Sequence, residues 1–190
     1  MSNKELSKDE SLALITEMIG QAKRNVAKGG SFYFLLWGSV VMLANLGHYL
    51  IETNNWYDHP YIVWVLMIPA GIVSMIYGAK QDREAKVKSH LDRLYGMIWL
   101  AVFIGILIVL FFMKDLNYNI NAVILSFAAI GTFISGQALR FNPLNMGAVA
   151  LWAASIVAFN VTPVDQYLVG AIGIFAGYLV PGYLLRKAEK

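Results

Sequence analysis

Between Met97 and Met113 the chain reads MIWLAVFIGILIVLFFM. No side chain in that stretch carries a charge, a hydroxyl or an amide. Its hydrophobicity does not alternate, so it does not read as a half-buried strand. As a helix it is long enough to cross the hydrocarbon of a bilayer, which takes about 20 mostly apolar residues, with a range of about 17–25. Six such spans are predicted: Phe32–Ile51, Tyr61–Ala79, Gly96–Met113, Asn119–Leu139, Leu144–Asn160 and Tyr167–Leu185. None contains Lys, Arg, Asp or Glu. Helices satisfy their own backbone in lipid, whereas a barrel would need alternation over strands of about ten residues. The expected fold class is therefore all-α, a polytopic membrane protein of six transmembrane helices arranged as three hairpins.

Composition agrees. Apolar residues make up 58% of the chain and charged residues 14%, against about 45–50% and about 25% in an ordinary globular protein. A soluble domain of this size could not hide so much apolar surface. The absence of cysteine excludes disulfides, thiolate metal sites and a cysteine nucleophile. The first 30 residues have no apolar signal-peptide core, so the first span is expected to direct insertion.

Charge sets the expected orientation. Of the 15 Lys and Arg residues, all except Lys114 fall on one side of the six spans. Lys80, Arg140 and Arg186 mark that boundary directly after spans two, four and six. The positive-inside rule puts this side, with both termini and the 80–94 loop, in the cytoplasm. Trp56, Tyr57, Tyr61, Trp64, Tyr118 and Tyr167 gather at the opposite boundary as an aromatic belt. The basic charge thus faces lipid headgroups. Asp82, Glu84 and Asp92 interrupt the basic run of the loop, and no nucleic-acid partner is expected.

One phrase occurs twice. GTFISGQALR (131–140) closes span four and GYLVPGYLLR (177–186) closes span six. Span two ends GIVSMIYGAK (71–80), a partial match. Trp37, Trp99 and Trp152 hold equivalent places in the odd spans. This predicts a triplicated helical hairpin, repeated about an axis along the membrane normal. Gly71, Gly131, Gly136, Gly173, Gly177 and Gly182 are predicted packing positions, because helices in lipid associate through small residues. Gly173/Gly177 and Ala150/Ala154 form small-xxx-small patterns, serving either one bundle or a homodimer. Pro69 and Pro181 should kink their helices.

Residues 1–30 form a predicted cytoplasmic segment, distinct from a transmembrane domain over residues 31–190. Ser7 and Glu10 make a capping-box pattern. Leu12, Ile15, Met18, Ile19, Ala22 and Val26 share one face of a helix ended by Gly29-Gly30. That face has three placements open to it: the headgroup layer, the underside of the bundle, or a cytoplasmic protein partner.

Motifs for chemistry are scarce. No P-loop, HExxH, GxSxG or dinucleotide fingerprint is present, and His48, His59 and His90 lack metal-ligand spacing. No metal, cofactor or catalytic residue is expected. The strongest polar constellation is Asn45, His48 and Glu52, which share one face of span one. A structural role is one reading. The other is a sensing group, since polar residues at depth are costly and often functional, and histidine titrates near neutral pH.

The opening ESLALITEMI segment and the SFYFLLWG start of span one resemble those of small, mostly uncharacterised six-helix bacterial inner-membrane proteins with a short cytoplasmic N-terminal helix. The resemblance is strongest over the first 50 residues and carries no catalytic motif. The leading functional expectation is a non-enzymatic membrane protein, a sensory, regulatory or assembly partner acting through its cytoplasmic helix and loop. The alternative is a small transporter or channel with a path between the hairpins.

Overall fold

A computed structural model of the chain describes residues 29–84 and 90–189. The expected N-terminal amphipathic helix and the middle of the 80–94 loop lie outside the described residues. All regular structure within them is helical: α1 (Gly30–Asn54), a 3-10 segment (Pro60–Leu66) running into α2 (Met67–Glu84), α3 (His90–Phe111), α4 (Ile120–Leu139), α5 (Asn142–Ala158), α6 (Asp165–Ile174), a π segment (Phe175–Leu179) and α7 (Val180–Ala188). Five helical runs are long and apolar enough to cross a membrane: Gly30–Asn54, Pro60–Arg83, Arg93–Phe111, Ile120–Leu139 and Asp165–Ala188. The apolar α5, at 17 residues, is shorter.

Local chemistry explains where these elements begin and end. Asn55, at φ 53°, ends α1 and donates its N–H to the carbonyl of Glu52, so the helix runs one turn past the predicted Ile51. Arg140, at φ 52°, closes α4 with its N–H on Gln137 and Gly136 carbonyls. Pro143 follows in the first turn of α5, where its missing N–H costs nothing. Pro181 cannot donate to the carbonyl of Gly177, and its ring crowds that carbonyl. The widened π turn directly before it accommodates this. The two matching decads therefore finish differently: Arg140 is a left-handed cap, while Arg186 stays inside α7.

The interior is built from α1, α4, α5 and the α6–α7 run, with α4 and α5 the most extensive pairing. Ala122, Leu125, Ala129, Leu144, Ala148 and Leu151 are almost wholly buried there. Trp37, Trp99 and Trp152 all pack against this core. The second run leans on α1, and α3 on α4. Their apolar windows are only 6% and 11% buried, against 44% and 50% for the fourth and last runs. Met75, Ile76 and Phe111 are among the side chains left outside. Such faces are stable in lipid, which solvates them as well as a protein core does.

Glycine contacts close the interior. A Cβ on Gly173 would stand 2.7 Å from that of Ala154, and one on Gly177 would overlap the Leu151 side chain. The two small-residue patterns thus meet each other within one chain. A Cβ on Gly147 would lie 2.7 Å from the carbonyl oxygen of Gly177. Gly131 faces Trp99 and Val102, Gly136 faces Asn145, and Gly182 faces Phe34. Gly71 differs, since among the described residues no atom lies within 4 Å of a Cβ built there. Gly38, Gly147 and Gly170 are close approaches that the repeated phrase did not single out.

The end of the bundle holding Gly29 and Glu189 is here called basal, the opposite end distal. At the basal end Phe32 stacks on Tyr77 at 3.8 Å. The Glu189 carboxylate accepts the Ser31 backbone N–H at 2.9 Å and its hydroxyl at 2.5 Å. This acidic side chain from another helix caps the start of α1, where the helix dipole favours negative charge. Glu189→Ala is expected to cost about 0.5–2 kcal/mol, the range for a lost helix cap, and E189Q less than E189A. Denaturant unfolding in detergent micelles measures both. Lys80, Arg140 and Arg186 are all exposed at the basal end.

Candidate functional site: a polar cluster at the distal end

The three polar residues of α1 lie on its inward side near the distal end. Asn45 is 1% exposed and His48 6%, while the Glu52 side chain reaches the surface at 39%. His48 Nε2 and Glu52 Oε2 are 3.0 Å apart. Two other elements complete the surroundings of His48. The indole Nε1–H of Trp64, on the 3-10 segment, donates to His48 Nδ1 at 3.0 Å. Tyr167, on α6, stacks on the imidazole at 3.7 Å between ring centres and 17° between planes. Three separate runs thus converge on one ring.

Hydrogen-bond roles follow from the groups involved. An indole N–H can only donate, so Nδ1 must be the acceptor. A neutral imidazole then carries its proton on Nε2 and gives it to Glu52. The tautomer is fixed by Trp64 on one side and Glu52 on the other.

A second group of amides lies beside it, with Asn45 one turn deeper on α1 and Gln166 next to Tyr167 at the start of α6. Asn45 Nδ2 donates to the Val41 carbonyl at 2.9 Å. Its Oδ1 faces Gly170, 2.8 Å from where a Cβ would stand, and Asn121 Oδ1 lies 3.5 Å from the same point. Gln166, fully buried, donates through Nε2 to Asn119 Oδ1 at 2.6 Å. Asn45 Oδ1 and Gln166 Oε1 are buried without a hydrogen-bond partner among the described residues. Each can accept a bond from a donor, and a buried acceptor left unmatched costs about 1–3 kcal/mol. Ser126 and Ser155 join α4 to α5 at 2.7 Å, and Ser155 donates onward to the Ala122 carbonyl at 2.7 Å.

Sequence pattern placed Asn45, His48 and Glu52 on one face, and the structure brings them together there. It missed the partners. Trp64 and Tyr167 were expected in an aromatic belt, yet both are only partly exposed and turn onto His48. Gln166 falls just before the predicted start of span six at Tyr167, and Asn121 is one more residue of span four. Their spacing from Asn45, in three distant parts of the chain, left no local signal. Asp58 and His59 are exposed and apart from the cluster. Asn160 bonds to its own helix at the Ile156 carbonyl, and Gln137 to Asn145.

No protein-family model, curated protein or solved structure matches the chain.

Proposed function

We propose that this chain is a multi-pass membrane protein of six spanning helices, paired as three consecutive hairpins. It acts without catalysis as a sensory, regulatory or assembly partner, through residues 1–28 and the 80–94 loop. The observation that carries this reading is the closed interior. Gly147, Gly173 and Gly177 bring α5 and the last run so close that a single methyl group would not fit. Such an interior favours a signalling or scaffolding bundle over a conduit. The 17 residues of α5 rise about 25 Å, at the short end of what spans a bilayer. The basal end is cytoplasmic in this reading, by the weight of Lys and Arg there. Membership among small bacterial inner-membrane proteins of this layout, and descent from a repeated hairpin, rest on the sequence phrases and the shared seating of the three tryptophans.

Deleting residues 1–28 is expected to leave membrane insertion intact and to abolish co-purification of the partner captured from native membranes in mild detergent. Unchanged co-purification overturns the role of the segment. The rival reading, a small transporter, draws on Asn45 Oδ1 and Gln166 Oε1, two buried acceptors suited to a ligand's donor groups. It requires the α5–α6 seam to open.

A further inference from the structure

The geometry points to a proton switch at His48, in which proton uptake at Nδ1 releases the Trp64 indole and loosens the distal end of the second run against α1. This deepens the sensory reading above, and rests on it, by naming the signal.

Occupancy of one nitrogen decides the matter. Nδ1 is the only acceptor on the neutral ring, and Trp64 Nε1–H holds it at 3.0 Å. A proton arriving there comes from the surrounding water and uses the same lone pair. Once it is bound, two N–H groups face each other and neither can accept. Proton and indole are mutually exclusive ligands of one atom.

The other neighbours favour the charged ring. Glu52, on the same helix, already accepts from Nε2 at 3.0 Å and lies beside the ring when it becomes charged. Tyr167, from α6, lies flat on the imidazole, the arrangement in which an aromatic face attracts a cation. Glu52 and Tyr167 are the titratable groups facing the ring among the described residues. Protonation therefore strengthens the ties of His48 to α1 and α6 and breaks its tie to the second run.

That tie matters because it is a polar bond at the distal end of a run whose outer faces are left outside the bundle. Its apolar window is only 6% buried. Its basal end is fastened separately, by Tyr77 stacking on Phe32. Losing Trp64 leaves the distal end held by apolar packing of the 3-10 segment on α1, as at Val63 against Gly47, while the basal end stays fastened. A signal bound at the distal end thus reaches the opposite side through the 3-10 segment and α2, which are continuous.

The test uses the full-length protein in lipid nanodiscs. The chain has no cysteine, so Leu50→Cys and Ile62→Cys give a unique spin-label pair across α1 and the 3-10 segment. Distances are measured by pulsed EPR across about pH 5 to 8, the window in which histidine changes charge. A longer or second, more distant population is expected at the acid end. H48Q, whose amide still accepts the indole but does not titrate, is expected to hold the short distance throughout. W64F is expected to give the released distribution at every pH. An unchanged wild-type distance overturns the switch, as does an acid shift that persists in H48Q. Should H48Q not fold, an acid shift persisting in W64F overturns it equally. No partner protein enters the measurement, so its failure is distinct from failure of the partner-binding reading.

Discussion

Gly177→Ala and Leu151→Ala are each expected to destabilise the bundle, and the double variant is expected to be more stable than the sum of the two losses predicts. The three heavy atoms nearest to a Cβ on Gly177 are all in the Leu151 side chain. Overpacking of that kind costs about 1–3 kcal/mol. Leu151 is fully buried, and truncating it alone costs about 2–5 kcal/mol through lost contact and the cavity left behind. In the double variant the alanine methyl at 177 occupies space that Leu151 vacated. A favourable coupling on the order of 1 kcal/mol follows. Reversible unfolding in mixed micelles supplies all four corners of the cycle. Strict additivity would mean that the seam tolerates the methyl by moving elsewhere.

At Gly147 no such rescue is available. The obstacle is the backbone oxygen of Gly177, with the Pro181 ring 2.9 Å away, and neither can be trimmed without rebuilding the π turn. Gly147→Ala is expected to reach or exceed the top of the overpacking range of about 1–3 kcal/mol. Gly147→Leu is expected to yield no monodisperse protein on size exclusion. Gly71→Ala makes the contrast. With open space around it, its change should stay within about 0.5 kcal/mol. If Gly147→Ala melted with the parent chain, the close approach of α5 to the last run would be wrong.

These glycines also show what the sequence could and could not reveal. The helical runs were legible because lipid demands long apolar stretches and the chain provides them without interruption. Gly131, Gly136, Gly177 and Gly182 were found because they recur in a phrase. Gly147 does not recur, and Gly71 recurs without a neighbour. Whether a small residue is needed depends on what the opposite helix brings, which periodicity does not encode. The same holds at the distal cluster. Helical spacing aligned Asn45, His48 and Glu52 on one face. That Trp64 and Tyr167 turn inward onto His48, and not outward to an interface, depends on how the 3-10 segment and α6 approach α1. The π segment was foreshadowed only by Pro181, which announces a disturbance but not its form.

The cap on α1 has a consequence in time. Ser31 and Glu189 are 158 residues apart. At about 5–20 residues per second, the opening turn of the first helix is made about 8–30 seconds before the carboxylate that caps it. Through that interval its opening turn depends on other partners.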